Sequence, residues 1–287
     1  MITLKNSQLL VSILDPEQDQ SHFGSRYCTG GYIWQVEDSK YGALLSGPEY
    51  PGKPSVFNGQ GAPEVFEIAL GQDSAGMGED VYVLGVGLVR RESPVKPFHV
   101  RNNFTVTEFS KWNITVQTES ELSMTSLIQF KDWNFQLEKS VQLEGRKVIS
   151  KSKVQNFGSK EIPLRWFAHP FFPIVSELSC VKFSVEADLI RYLPSAGGFD
   201  FNDNGELIRI ENFVWKKGCF QLLNLPFGSP MEFYPKHPLL GNIQVKCLFP
   251  LAWMPVWSND LTLSLEPYHH TVVLANAISE WSIHYQF

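Results

Sequence analysis

Apolar and polar residues alternate with a period of two through most of this 287-residue chain, which is the pattern of half-buried β-strands. Between Phe135 and Leu143, for example, the even positions are polar and four of the odd positions are apolar. No segment sustains a helical period, and 18 prolines and 21 glycines interrupt the chain at the spacing of strands. The alternation therefore predicts an all-β protein, a large antiparallel sandwich of two sheets in a single domain over residues 1–287.

The same alternation predicts the individual strands. Turn residues at Glu144–Arg146 and Asn156–Gly158 join three of them, Phe135–Leu143, Val148–Val154 and Ile162–Ala168, into a predicted antiparallel meander. The other predicted strands are Phe104–Val116, Leu122–Phe130, Lys182–Tyr192, Leu207–Val214, Cys219–Leu225, Gln244–Leu248, Leu261–Glu266, Thr271–Leu274 and Glu280–Phe287.

Charge and composition exclude several classes of function. The net charge is −6 and no long Lys/Arg run occurs, which argues against binding to nucleic acid or to an anionic membrane. The four cysteines are far apart and form no CxxC motif, so we expect buried thiols rather than a zinc or redox site. His269, His270 and His284 lack a further ligand at metal spacing, so no metal and no cofactor is expected. Without a signal peptide or an apolar span, we expect a cytoplasmic monomer or weak homodimer.

The strand Ile162–Ala168 leads to the first candidate for chemistry. Alternation puts Ile162 and Trp166 on the core face, and Arg165, Phe167 and His169 on the other face. His169 ends the strand just before a proline, where a histidine away from the core can serve as a general acid or base. The alternative is a surface or capping histidine. We predict that Arg165 and Phe167 contact a ligand beside it.

Glu266 occupies a matching position at the end of another strand. In Leu261–Glu266 the leucines point to the core and Glu266 points away from it, again just before a proline. If both strands belong to one concave sheet, Glu266 and His169 face each other across a groove as a carboxylate base and an imidazole acid. The alternative is a solvated surface charge.

The longest stretch without clear alternation, 41–80, is predicted to be a functional loop. Its carboxylates Glu49, Glu64 and Glu67 lie among glycines and aromatic residues, a setting that suits the hydroxyl groups of a neutral polyol. The glycines are read as turn positions because no P-loop sequence follows them. The alternative is the ordinary polarity of turns.

A fourth segment runs from Leu84 to Arg91. Gly85 and Gly87 permit a close approach of backbone or ligand, and Arg90 or Arg91 can donate to a sugar oxygen or to a phosphate. The alternative is an ion pair between one of these arginines and Glu92.

These segments, in this order, resemble the galactose mutarotase-like (aldose 1-epimerase) superfamily, in particular its divergent bacterial and chloroplast members of about this length. The resemblance implies a β-supersandwich with a sugar-binding groove on its concave face. The segments that carry it are Phe23–Tyr27, Gly59–Glu67, Gly85–Leu88, Trp166–Phe172, Leu265–Pro267 and Trp281–Phe287.

The resemblance also implies roles for two residues. His169 matches the histidine of the family's Asn-His-Ser-Tyr-Phe segment and would protonate the ring oxygen of a sugar. Glu266 matches the glutamate of the family's Leu-Glu-Thr segment and would take the proton of the anomeric hydroxyl. The two should face each other from opposite walls, and their attraction should keep His169 charged at neutral pH.

The sequence departs from the family at the segments that hold the sugar, because it has neither the Asn-Arg-Ile nor the His-Gly-Gly segment. Several functions therefore stay open. The first is mutarotation of a small-molecule sugar. The second is binding of a carbohydrate without catalysis. A hexose-6-phosphate 1-epimerase would need a basic cluster such as Arg26, Arg90, Arg91 and Arg165, and a carbohydrate-cleaving enzyme would need further catalytic groups beside Glu266.

Overall fold

A computed structural model describes residues 1–190 and 197–287, which form antiparallel strands and three short 3-10 helices, Gln20–His22, Val100–Asn102 and Trp215–Lys217. The strands are β1 (Ile2–Lys5), β2 (Leu9–Ile13), β3 (Ile33–Asp38), β4 (Gly42–Ala43), β5 (Glu64–Phe66), β6 (Ala69–Leu70), β7 (Asp80–Val83), β8 (Gly87–Arg90), β9 (Val106–Phe109), β10 (Asn113–Gln117), β11 (Glu121–Phe130), β12 (Trp133–Glu144), β13 (Lys147–Asn156), β14 (Ile162–Ala168), β15 (Phe172–Pro173), β16 (Ser179–Phe183), β17 (Asp188–Leu189), β18 (Phe199–Phe201), β19 (Leu207–Arg209), β20 (Cys219–Asn224), β21 (Met231–His237), β22 (Gly241–Asn242), β23 (Gln244–Leu248), β24 (Leu251–Ser258), β25 (Thr262–Leu265), β26 (Tyr268–Val273) and β27 (Ile278–Gln286).

Two large sheets pack face to face. The first has 11 strands in the order β10-β11-β12-β13-β27-β23-β21-β16-β19-β18, with β22 beside β21. The second has eight strands in the order β15-β25-β24-β26-β14-β5, with β20 on the other side of β24 and β17 beside β20. Their inner faces share one core, in which the rings of Trp166 on β14 and Trp281 on β27 lie 5.7 Å apart. The predicted all-β antiparallel sandwich is confirmed.

Two further four-stranded sheets, β1-β2-β3-β4 and β6-β7-β8-β9, were not predicted. Most of their strands are short, so the alternation of apolar and polar residues extends over too few positions to be recognised in the sequence. All four cysteines are buried thiols, as predicted. No helix in the described part of the chain is long and apolar enough to cross a membrane.

The predicted meander is wrong at its last strand. β12 and β13 form the expected hairpin, but β14 pairs with β26 and β5 in the opposite sheet. Alternation indicates that a strand has one apolar face. It does not indicate whether the next strand extends the same sheet or covers it.

Three other predicted strands are shorter than expected. Phe104–Val116 divides into β9 and β10 because the chain leaves the ladder where the buried Trp112 donates to Thr29 Oγ1 over 2.9 Å. Lys182–Tyr192 is replaced by β16 and β17, and its Tyr192 lies outside the described residues. The predicted strand Leu207–Val214 ends at Arg209 as β19. The guanidinium group of Arg209 lies over the ring of Trp215, 4.0 Å from its centroid.

A buried ion pair joins the two large sheets. Lys139 of β12 is completely buried, and its ammonium group contacts the carboxylate of Glu64 in β5. Ser150 Oγ donates to the other oxygen, Oε1, over 2.5 Å, and Trp166 Nε1 donates over 2.8 Å to Oε2, the oxygen that Lys139 contacts. Lys139 also donates to Ser152 Oγ. The network satisfies both charges inside the core, which is the condition under which burial of an ion pair is tolerated.

We expect Lys139→Met to lower the free energy of unfolding by about 3–5 kcal/mol, because it leaves the Glu64 carboxylate buried without its partner. Urea denaturation followed by tryptophan fluorescence measures the change. The double variant Lys139→Met/Glu64→Gln removes both charges and should regain most of the lost stability. Equal stability of Lys139→Met and the wild type would contradict the electrostatic role of the pair.

Candidate active site

Two neighbouring strands of the eight-stranded sheet are interrupted at the same level. The ladder of β14 and β26 ends at the pair Phe167–Tyr268, and it resumes between β15 and β25 at the pair Phe172–Leu263. The same number of residues intervenes on both strands, so the register continues across the break. His169 therefore lies directly opposite Glu266.

The break follows from the prolines. Pro170 and Pro267 come directly after His169 and Glu266, and proline has no N–H to donate to a ladder. The two residues before them donate to the outer neighbours instead: His169 N–H to the carbonyl of Pro63 and Glu266 N–H to that of Pro255, over 2.8 and 2.9 Å. The backbone is thus satisfied, and both side chains are held on one face of the sheet.

The two side chains form a buried acid–base pair. His169 Nε2 lies 3.2 Å from Glu266 Oε1, and the residues are only 3% and 6% exposed. The other ring nitrogen, Nδ1, is hydrogen-bonded over 2.8 Å to the hydroxyl of Ser264, which is fully buried. Ser264 thereby fixes the ring with Nε2 towards the carboxyl group. The predicted arrangement, with the two groups on opposite walls, is replaced by direct contact.

Burial sets the protonation of this pair. It raises the pKa of Glu266 to about 7, against the opposing effect of the Arg26 charge. It lowers the pKa of His169 well below its usual value, and the nearby charges of Arg26 and Arg101 lower it further. The expectation that His169 stays charged at neutral pH is therefore wrong, because the loss of hydration is the largest effect on its pKa and disfavours the imidazolium.

The pair opens into a cavity of about 690 Å³, a volume suited to a small ligand. Aromatic rings form much of its wall. Phe167 and Tyr268 stack with their centroids 4.4 Å apart, and Phe171 lies 4.5 Å from the ring of His169. Such faces can pack against the C–H groups of a sugar ring. The other apolar residues of the wall are Pro48, Phe57, Val65, Val100, Phe220 and Trp257.

Polar groups line the rest of the cavity: Arg26, Asn58, Glu67, His99 and Arg101. Glu67 accepts from the hydroxyl of Tyr268 over 3.0 Å and lies 3.7 Å from Arg165 Nη1. His99 and Arg101 were missed in the sequence. They lie at the 3-10 helix Val100–Asn102, where no strand alternation marks the residues as one face.

The structure brings together four of the predicted site residues, because His169, Glu266, Glu67 and Phe167 all line the cavity. Arg165 stands behind Glu67 as its ion-pair partner. The segment 41–80, predicted to be a loop, contains the short strands β4, β5 and β6. It supplies cavity residues through Pro48, Phe57, Asn58, Val65 and Glu67.

The other four predicted ligands of the sugar lie elsewhere. Glu64 points into the core between the sheets, because its side chain alternates with that of the cavity-lining Val65. Glu49 is engaged within its own loop, where it accepts from Ser55 N–H and Asn58 Nδ2. Arg90 is exposed and pairs with Asp80 over 3.4 Å. Arg91 is buried and donates to the carbonyls of Gln72 and Val95.

Among the described residues, no three His, Cys, Asp or Glu side chains are grouped in a way that could hold a metal ion.

Comparison with solved structures identifies the fold. A galactose mutarotase-like protein from Lactobacillus casei ATCC 334 superposes with a TM-score of 0.59 at 13% identity, covering 100% of this chain and 99% of that one. Slr1438 from Synechocystis sp. PCC 6803 gives 0.59 at 14% identity, covering 99% and 94%. The GalM/aldose epimerase homologue from C. elegans gives 0.52 at 10% identity, covering 99% and 97%.

No protein-family model matches the sequence. No curated protein matches it either. The superposed structures nevertheless show that the chain has a galactose mutarotase-like fold. The resemblance inferred from the sequence is thus confirmed at the level of the fold.

We expect the imidazole of His169 to titrate below its ordinary pKa of 6.5, because charging it inside the sheet costs hydration. Two-dimensional ¹H–¹⁵N spectra of the ring nitrogens measure the midpoint. Arg26→Gln should move the midpoint upwards by removing a nearby cation, whereas Arg90→Gln, at an exposed site outside the cavity lining, should leave it in place. A midpoint above 6.5 in the wild type would contradict the dominance of burial.

Proposed function

We propose that this protein is an acid–base isomerase of the aldose 1-epimerase type, which interconverts the α and β anomers of a sugar without a cofactor. The observation that carries the proposal is the contact between His169 Nε2 and Glu266 Oε1 at the edge of the cavity. The galactose mutarotase-like fold supports the same class of chemistry.

Direct contact between the two groups suits this reaction. The anomeric hydroxyl oxygen and the ring oxygen of an aldose are bonded to the same carbon, C1. An acid and a base that act on both must therefore be neighbours, and they need not be separated by the width of the ring. A sugar lying over the pair can present its anomeric hydroxyl to Glu266 and its ring oxygen to His169.

Ring opening uses the form of the pair in which Glu266 is ionised and His169 carries the proton. Glu266 takes the proton of the anomeric hydroxyl, and the O–H electrons form the C1 carbonyl. The bond between C1 and the ring oxygen breaks, and that oxygen takes the proton of His169. The pair is left neutral, with the proton on Glu266.

Ring closure runs the same transfers in reverse after rotation about the C1–C2 bond. The hydroxyl formed from the ring oxygen attacks the other face of the carbonyl and returns its proton to His169. Glu266 returns its proton to the anomeric oxygen. The pair holds one proton in total when each transfer begins, and the neutral form favoured by burial is the form poised for closure.

We expect Glu266→Gln and His169→Asn each to reduce the catalysed rate by about 10²–10⁴-fold, the usual contribution of general acid–base catalysis. NMR exchange spectroscopy of the anomeric protons, on a panel of fresh aldoses and aldose derivatives, measures the rate. Arg90→Gln is the matched control, since Arg90 is exposed and is not among the residues that line the cavity. Circular dichroism establishes that each variant is folded.

Two outcomes would count against the proposal. Unchanged exchange rates in folded variants would show that the pair has another role. Binding of sugars in calorimetry without any acceleration by the wild type would favour the alternative, a carbohydrate-binding protein that keeps the cavity without the chemistry.

The rate should also depend on pH in a defined direction. Burial raises the pKa of Glu266 to about 7 and lowers that of His169, so the pair holds its single proton below pH 7 and loses it above. Because opening and closing both need this proton, we expect kcat/KM to fall as the pH rises through about 7, approaching about tenfold per pH unit. The rate is measured after subtraction of the buffer-catalysed reaction. An increase over the same range would mean that the ionised carboxylate suffices.

A further inference from the structure

Ser264 is a buried residue beside the acid–base pair, and the reaction proposed above gives its hydroxyl group no part in the proton transfers. The register on both sides of the break places His169 opposite Glu266, so Ser264, two residues earlier, is the diagonal neighbour of His169 on the same face. The imidazole therefore contacts both side chains. Its Nε2 lies 3.2 Å from the Glu266 carboxyl group, and its Nδ1 lies 2.8 Å from the Ser264 hydroxyl group.

The order serine, histidine, glutamate is also that of a hydrolase triad, but the position of Ser264 does not suit a nucleophile. Ser264 is fully buried and is not among the residues that line the cavity, whereas His169 and Glu266 both line it. The nucleophile of a triad must reach the carbonyl carbon of a substrate. The hydroxyl group of Ser264 can therefore influence the chemistry only through the ring of His169.

The proposed reaction determines which ring nitrogen must exchange the proton. Nε2 is the nitrogen that contacts Glu266, and it must be free of its proton when ring closure begins. A neutral imidazole with a bare Nε2 carries its remaining proton on Nδ1. That Nδ1–H group is buried and needs an acceptor, and the oxygen of the Ser264 hydroxyl group lies within hydrogen-bond distance of it.

We propose that Ser264 is a positioning residue that keeps the proton of the neutral His169 ring on Nδ1, so that Nε2 exchanges a proton with the sugar. The proposal rests on the proposed function, because it assigns Ser264 a role in the same reaction. Burial raises the pKa of Glu266 to about 7, and its protonated carboxyl group can donate to a bare Nε2. With the proton on Nε2 instead, the ring could not accept the proton that ring closure returns.

NMR spectra of the His169 ring nitrogens in the ligand-free protein test the tautomer. The ¹⁵N shifts distinguish a protonated nitrogen from a bare one, and just below pH 7 we expect Nδ1 to be protonated in the wild type. Ser264→Ala leaves the buried Nδ1–H group without this acceptor, so the proton should move to Nε2 in most molecules. Ser264→Thr keeps a hydroxyl group and should keep the wild-type tautomer. Ser264→Cys, whose thiol is a weaker acceptor, should give an intermediate result.

Kinetics distinguish this role from a purely structural one. Polarimetry of fresh α-glucose, α-galactose and α-xylose over a range of concentrations gives kcat and KM. We expect Ser264→Ala to lower kcat by about tenfold and to leave KM unchanged, because the hydroxyl group does not line the cavity. Ser264→Thr should restore most of kcat.

Thr262→Val is the matched control. It removes another fully buried hydroxyl group from the same face of β25, one that donates to the carbonyl of Phe172 over 2.8 Å. We expect it to change neither the spectra of His169 nor kcat. Circular dichroism establishes that each variant is folded.

A bare Nδ1 in the wild type, or a tautomer and a kcat that folded Ser264→Ala leaves unchanged, would overturn the proposal. Equal losses of kcat in Thr262→Val and Ser264→Ala would also overturn it, because they would indicate a general disturbance of the strand. Absence of acceleration by the wild type on every aldose would reject the proposed function. The spectra would then still support or overturn the tautomer that Ser264 sets.

Discussion

The site depends on one constraint, the interruption of two adjacent strands by prolines in register. Pro170 and Pro267 remove the ladder donors from β14–β15 and β25–β26 at the same level, and the outer neighbours take up the hydrogen bonds of the residues before them. The register is the same on both sides of the break, so His169 and Glu266 are direct cross-strand neighbours with their side chains on one face. A regular ladder would also place them side by side, and the cavity lies at the level of the break, where His169, Phe171 and Glu266 line it.

Two buried acid–base pairs in the described part of the chain have different hydrogen-bonding environments. Glu64 and Lys139 lie between the sheets, where serine hydroxyls and the Trp166 N–H complete their hydrogen bonds. Glu266 and His169 lie on the opposite face of the same sheet and have one supporting hydroxyl, that of Ser264. Burial without full compensation moves both of their pKa values towards the neutral forms. The first pair holds the sheets together, and the second would carry the proton that the proposed reaction transfers.

The sequence predicted the fold class, and the positions of His169 and Glu266 at strand ends, for a physical reason. Long strands such as β12 and β27 show their alternation over many residues, and a polar side chain before a proline at a strand end is visible in the sequence. It did not show that the two strand ends are partners in register, because pairing between distant strands leaves no local pattern. For the same reason the change of sheet between β13 and β14 was missed.

The arginines show why the ligand groups were harder to predict. Arg90 and Arg91 lie at the end of a strand, and there Asp80 and backbone carbonyls occupy their donors. Arg26 and Arg101 lie in segments without strand periodicity, so nothing in their spacing marks them, yet these segments border the cavity. Side chains on a strand are held against the neighbouring strands, whereas side chains in a loop can keep hydrogen-bond donors that no protein group accepts. The sheet supplies the acid–base pair of the proposed reaction, and the loops supply further charged groups that line the cavity.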